Sequence, residues 1–482
     1  YFYKNKFNKL NQEISKTLII FLIIFISILV FKSHDDFAYY HFPYSYHLTE
    51  QKMVIGIGQI LQGFRTPSSI FYFNSLLYLP LVEYSLFNFF PAYILGFANL
   101  ILIKKIFKSK KNFILNNYLS LIVFIFINIF FYRIGEHGTD RSAQILIFIL
   151  IIEILNQINK LNIEDKSLSI IYFLTAIIIS LKAFYILYLL LLLPLFIFEF
   201  NKKKSLIKII QKFTLNLSFL ISSILILLVF LSYLFNTGCI VYPVSFSCIE
   251  SLNWSVNKID VRSSNNWFEL WSKAGATPNY IIENKDVYIE NFNWVGLWIK
   301  EYFFTKVSDF IFGIIFLGLV VYLSFSIKSN KFKKKFNKQK YWSVYVIILI
   351  LFFEWFYNHP ALRYGGYSII CLMLFIPLSN ILLSYDIKLK RYSNTVFILI
   401  IITLFVFVSR NINRINNEIK VYNYKPFFNP SYILTETHFR MQKQMDNLII
   451  NFENCDKKKL NCDSNLQPKV SKKLGYYILN KK

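Results

Sequence analysis

Apolar runs close to bilayer-crossing length recur along most of the chain, and they limit its fold more than any other feature. The runs "TLIIFLIIFISILVF", "YLSLIVFIFINIFFY", "FLISSILILLVFLSYLF" and "DFIFGIIFLGLVVYLSF" each approach or reach the span of a transmembrane helix. Inside lipid a backbone has to satisfy its own hydrogen bonds, which points these runs to helix. Hydrophobic residues fill 55% of the 482 positions and charged ones only 17%, a balance that excludes an ordinary soluble domain. The expected fold class is all-α, a polytopic integral membrane protein.

The formal charge is +26. Its lysines lie in short loops between apolar runs: "YKNKFNKLNQEISK", "KKIFKSKK", "NKKKSLIK" and "KSNKFKKKFNKQK". That is the distribution of cytoplasmic loops facing anionic lipid, so the expected partner is membrane lipid and not nucleic acid. Setting every basic loop inside gives about eleven spans, near 17–32, 83–103, 113–132, 142–157, 168–181, 184–199, 213–235, 307–327, 342–357, 366–384 and 394–409. No small-residue cleavage site follows the first run, so it reads as a retained span. The N-terminus is then cytoplasmic. Outer loops cover about 33–82, with interfacial helices, and about 236–306. A transmembrane domain fills 1–409, and the polar segment 410–482 falls outside. Cys239 with Cys248 and Cys455 with Cys462 are close pairs that suit disulfides in an oxidising compartment; Cys371 falls in a span as a core residue.

Four outer segments bear charge beside span ends. The stretch "SHDDFAYYHFPYSYHL" sets Asp35 and Asp36 directly after the first span, with His34, His41 and His47 nearby. A helix C-terminus disfavours carboxylates, so the pair asks for a cation or a substrate proton to offset it. In "RIGEHGTDR", Glu136 and Asp140 are four apart, as are His137 and Arg141. Two readings stand for this segment: a Mg²⁺ or Mn²⁺ site using Glu136 and Asp140 around an imidazole, or an ion-pair network of Arg133, Glu136, Asp140 and Arg141. Lys182 interrupts apolar sequence in "IIISLKAFYILYLL", and "NHPALRYGGY" supplies His359, Arg363 and Tyr364. Both cations either snorkel or meet an anion, and Arg363 suits bidentate phosphate contact.

A first outer loop opening on paired acids, basic cytoplasmic loops and about eleven spans together resemble the GT-C membrane glycosyltransferases, among them protein mannosyltransferases and lipid A aminoarabinose transferases. The segment "HPALRYGGYSIICLMLFIPLS" is similar to the Arg-Tyr segment before a late helix in several such enzymes. The resemblance implies a GT-C-like fold in a bacterial inner membrane. It implies an inverting transferase that moves a sugar from a polyprenyl-phosphate-linked donor to an extracytoplasmic glycan, lipid or protein acceptor. Asp35 or Asp36 would be the base, Glu136 and Asp140 an acceptor or metal site, and Lys182 and Arg363 the phosphate ligands. His34, His41, His137, Arg141, His359 and Tyr364 complete the expected substrate-contacting set. Two other readings are an O-antigen ligase or polymerase, and a lipid or polysaccharide transporter or flippase. The first has a large late outer loop and does not resemble a chain whose acids cluster in the first loop; the second expects mid-span charges and broken helices in repeated halves.

Overall fold

The computed structural model describes residues 2–481 except 30–31, 108–114, 137, 161–162, 203–204, 277–281, 328–329, 332–340, 426–431 and 459–467. The described chain is almost entirely helical. It opens with α1 (Phe2–Phe25), then a π-helical turn (Phe37–His41) running into α2 (Phe42–Glu50), α3 (Ser69–Leu76), α4 (Phe89–Ile106) and α5 (Leu115–Phe130). Next come α6 (Gly138–Asn159), α7 (Asp165–Leu181), a 3₁₀ stretch (Ala183–Leu192) leading into α8 (Leu193–Phe200), α9 (Leu206–Thr214) and α10 (Leu217–Thr237). The segment after α10 holds α11 (Lys258–Lys273), α12 (Lys285–Ile289) and α13 (Val295–Trp298), and a π-helical stretch (Ile299–Val307) joins it to α14 (Ser308–Ser326). The chain closes with α15 (Trp342–Asn358), α16 (Gly366–Leu382), α17 (Leu389–Tyr422) and α18 (Glu436–Lys458). β1 (Asn330–Lys331) pairs with β2 (Tyr385–Asp386), and β3 (Lys469–Lys473) with β4 (Tyr476–Asn480), both antiparallel.

Burial separates the helices into a centre and a rim. Every residue of α5 from Leu115 to Asn128 is buried, and α6 is nearly as enclosed. A helix apolar on all sides has to be surrounded, and α4, α16 and α17 pack around α5. Within that centre Asn99 on α4 and Asn128 on α5 exchange amide hydrogen bonds of 2.9 and 2.8 Å. Such a pair joins two helices where apolar contact alone discriminates little. On the rim, Leu227 and Leu228 of α10, Phe312 and Phe316 of α14, and Phe397 and Phe405 of α17 turn outward. An apolar outer surface on helices is what lipid covers. Among the described residues, six helical stretches are long and apolar enough to cross a membrane: α4, α6, α10, α17, the joined segment Ala183–Phe200 and the joined segment Val295–Ser326; α5, α15 and α16 are shorter apolar helices.

Each of the eleven segments read from the sequence falls on helix over most of its length. The boundaries differ in instructive ways. The first span was expected to reach about 32, but α1 ends at Phe25 and a turn follows at 26–28. Asp35 and Asp36 therefore do not close α1; they open the helical turn that leads into α2. The expected dipole penalty is reversed, since carboxylates at a helix start are favoured. The apolar run "ISILVF" hid that break. At the other end of the bundle's sequence, α17 runs unbroken across 409–410 to Tyr422.

The tail folds back on the first loop. Leu479 N–H donates to Ile55 O at 2.9 Å, Ile55 N–H to Tyr477 O at 2.9 Å, and α18 packs on α2. The end of α10 and the segment after it join the same end, where Gly56 N–H donates to Phe235 O and Lys481 N–H to Asn253 O, both at 2.7 Å. Cys239 and Cys248 form a disulfide there. Cys455 is disulfide-bonded, Cys462 lies outside the described residues, and Cys371 is a buried free thiol. At the opposite end Lys105 on α4 pairs with Glu153 on α6, and buried Glu199 takes Lys202 at 3.1 Å and Lys212 at 3.6 Å.

Candidate functional site

Four links between helices meet at one end of the bundle around a cavity of about 300 Å³. The start of the α2 segment brings Asp36 and the first turn of α6 brings Asp140. Lys182 sits in the extended link after α7, and Arg363 in the short turn before α16. Asp140 occupies a helix start, where the dipole favours its charge. Lys182 Nζ lies 2.5 Å from Asp140 Oδ1, Arg363 Nε 3.0 Å from Asp140 Oδ2, and Arg363 Nη2 2.9 Å from Asp36 Oδ2. Two carboxylates and two cations thus form a single chain of charge-assisted hydrogen bonds.

Aromatic faces complete the cage. Lys182 Nζ stands 4.5 Å over the Tyr364 ring, and Arg363 Cζ lies 5.4 Å from the Trp271 ring. Gln144, one turn along α6 from Asp140, fixes the Arg363 turn from behind. Its Nε2 donates to Arg363 O at 3.0 Å, and its Oε1 accepts Ser368 N–H at 3.0 Å.

Burial alone would raise the Asp36 carboxyl; the Arg363 guanidinium beside it more than reverses this and holds it below the usual carboxylate range. His34 Nδ1 accepts the Asp36 backbone N–H at 3.1 Å and lies 3.3 Å from Oδ2. While it accepts the N–H, this nitrogen has no proton to give the carboxylate. Burial lowers His41 to about 4 against the pull of Asp36 and Asp140, and its buried Nε2 has no hydrogen-bond partner among the described residues. Burial likewise lowers Lys182, opposed first by Asp140.

The expected residues divide clearly. His34, Asp36, His41, Glu136, Asp140, Arg141 and Arg363 line the cavity. Lys182 reaches it through Asp140. Asp35 is exposed and does not line it, so the two neighbouring acids have different surroundings. Tyr364 lies under Lys182, and His359 packs between Phe184 and Tyr364 with Nδ1 buried and, among the described residues, without a hydrogen bond. His137 lies outside the described residues.

The local network expected of "RIGEHGTDR" does not form as one unit. Glu136 turns to Arg133, with Nη2 at 2.5 Å, while Asp140 turns away to Lys182 and Arg363. The helix begins at Gly138, so Glu136 precedes it and the two acids do not share a helical face. Nor do they suit a divalent ion: both Asp140 oxygens and Glu136 Oε1 are held by cations, and among the described residues no group of three His, Cys, Asp or Glu side chains is placed to hold a metal.

Trp271 on α11, Tyr302 and Lys306 after α13, and Tyr367 on α16 line the cavity without having been singled out in the sequence. They lie in a Trp- and Asn-rich loop or one turn past Arg363, with no spacing that marks them. Arg414 and Glu418 on α17 reach the same region, pairing at 3.6 Å beside Arg133.

Residues 1–371 match the protein family described as Domain of unknown function (DUF8201), and the chain belongs to that family. No curated protein and no solved structure matches it. The matched part contains every residue that lines the cavity.

Proposed function

We propose that this DUF8201 member is a GT-C-like glycosyltransferase of eleven spans, acting at the outer face of a bacterial inner membrane. It moves a sugar from a polyprenyl-phosphate-linked donor to an extracytoplasmic acceptor. The observation that carries this reading is the meeting of Asp36 and Arg363, from opposite ends of an apolar helical bundle's sequence, in one cavity with aromatic walls. An apolar bundle offers grooves for a lipid tail, and the cavity offers a carboxylate for a proton beside cations for a phosphate.

In this mechanism the acceptor hydroxyl donates a hydrogen bond to Asp36. Its oxygen attacks the anomeric carbon from the face opposite the phosphate. The new glycosidic bond forms as the carbon–phosphate oxygen bond breaks, which inverts the centre. The electron pair leaves on the phosphate, and the hydroxyl proton goes to Asp36. With a carboxyl held low by Arg363, Asp36 is ionised at neutral pH and takes the proton late, once attack has made the hydroxyl acidic. Cations already fixed in the cavity stabilise charge as it develops on the leaving group without reorganising.

The direct test incubates the purified protein in lipid nanodiscs with polyprenyl-phosphate-linked hexose and pentose donors and follows release of polyprenyl phosphate. Release by the wild type that Asp36→Asn abolishes supports the reading. Release that survives in Asp36→Asn overturns it.

A further inference from the structure

The cations expected to hold phosphate are already neutralised. Lys182 and Arg363 are committed to Asp140 and Asp36 at 2.5, 3.0 and 2.9 Å. Arg133 and Arg414 are matched in the same way by Glu136 and Glu418. Two cations lining the cavity have no such match. Arg141, in the first turn of α6, lies with Cζ 5.4 Å over the Phe131 ring; Lys306 lies with Nζ 5.4 Å over the Tyr302 ring. Among the described residues neither makes an ion pair or a side-chain hydrogen bond. The neighbouring segments outside the described residues, 137 and 277–281, contain no Asp or Glu. Histidines aside, the cavity and its immediate partners thus hold six cations against four carboxylates.

An aromatic face under a cation leaves its N–H groups free to point elsewhere. Phe131 also packs against Tyr367 at 5.6 Å, and Tyr302 is fixed by accepting Leu362 N–H at 2.9 Å. Arg141, half-buried, is therefore held on a rigid wall by a contact that leaves its N–H groups free, and Lys306, exposed to solvent, reaches the cavity over Tyr302. A cavity of about 300 Å³ has room for a phosphate group and a sugar-sized neighbour.

We infer that Arg141 and Lys306 form an anion subsite for a phosphate ester, and that Lys182 and Arg363 instead position the two carboxylates. An excess of two positive charges matches a phosphate monoester more closely than a diester. In a transfer reaction the phosphate passes from the second to the first as its bond to the sugar breaks, so the subsite would bind the leaving group more strongly than the donor, which is the condition for acceleration. This last step rests on the transferase reading; the anion subsite does not.

The test measures binding of farnesyl phosphate and of inorganic phosphate to the full chain in nanodiscs, with farnesol as the uncharged control. The subsite expects farnesyl phosphate to bind and added salt to weaken it. Arg141→Gln and Lys306→Gln should each weaken it about tenfold or more. Arg141→Lys keeps the charge but loses the planar fork and should fall between. Lys300→Gln, an exposed lysine of the same π-helical stretch, should bind as the wild type does. Equal competition by inorganic phosphate makes the ligand a free anion; competition only at far higher concentration makes it a lipid phosphate. A thermal melt of each variant identifies loss through misfolding. Wild-type affinity in folded Arg141→Gln and Lys306→Gln, or no binding to the wild type, overturns the subsite. Binding that depends on both cations in a protein without transfer activity would instead sink the transferase reading and leave the subsite standing.

Discussion

Arg363 Nη2 lies 2.9 Å from Asp36 Oδ2, joining residues 327 positions apart. The contact closes the turn before α16 onto the segment after α1. It also does two opposed things to Asp36: it fixes the carboxylate in the cavity and lowers its basicity. Anything that draws Arg363 away leaves a stronger base in the same place.

The two neighbouring acids are expected to separate on mutation. Asp36 faces the cavity beside Arg363, while Asp35 is exposed. Asp36→Asn keeps the shape and removes the proton acceptor, so turnover should fall by about 10²–10⁴. Asp35→Asn should change it little. Initial rates of donor consumption decide the matter, and equal losses at both positions would show that the carboxylates act through charge at the helix start.

Acid should act on stability through His41, as it should through His47 and His359, which burial also lowers to about 4. The His41 ring packs on Tyr40 and Phe71, faces Asp36, Asp140, His34 and Arg363, and titrates at about 4 against an ordinary 6.5. Between those values the unfolded chain takes a proton that the folded one refuses, so stability falls as pH drops from about 6.5 to about 4. Asp36 has the same sign but a lower window: its contribution is present above the ordinary carboxylate range and is lost only as pH falls below it. Melting temperatures of wild type and His41→Gln from pH 8 to pH 4.5 check this. The variant should show the shallower decline, and parallel curves would refute the assignment.

The helices were legible because lipid imposes one backbone solution on any long apolar run, and lysine-rich loops mark their ends. The segments carrying Asp36, Asp140, Lys182 and Arg363 were legible for a related reason, since charge beside an apolar run needs a partner. Which partner was not. Spacing of four suggested that Glu136 and Asp140 act together, whereas the start of α6 between them sends one to Arg133 and the other to Lys182. Trp271, near the end of α11, and Lys306, in a π-helical stretch, come from the long segment between α10 and α14, where no motif singles out either side chain.

The end of the bundle that holds the cavity is expected to face outside. Asp35 belongs to that end, and Lys104, near the end of α4 and paired with Glu13 at 2.8 Å, to the other. Single cysteines at 35 and 104 should react differently with an impermeant maleimide in intact cells, position 35 being labelled and position 104 protected until the membrane is opened. The reverse pattern would invert the whole topology and place the cavity in the cytoplasm.

Lys182 and Arg363 should behave as one unit because they share Asp140. Its carboxyl is buried, with one oxygen toward each cation. Removing it by Asp140→Ala leaves Lys182 uncompensated and Arg363 with Asp36 alone, at a cost of about 3–5 kcal/mol in stability. Lys182→Ala leaves Asp140 with Arg363 alone, and Arg363→Ala leaves it with Lys182 alone and frees Asp36 as well. Each single loss displaces the same carboxylates, so in turnover the double variant should lose less than the sum of the two, while in stability it leaves buried Asp140 with neither cation. Arg363→Lys restores charge but not a fork able to reach Asp36 and Asp140 together, so it should recover only part. The comparison is made twice, by thermal unfolding and by turnover. If the cations only rest at the membrane edge, the losses will add, Arg363→Lys will match the wild type, and turnover will not follow stability. If they hold the carboxylates, turnover will fall further than stability predicts, because Asp36 will have lost its position while the bundle stays folded.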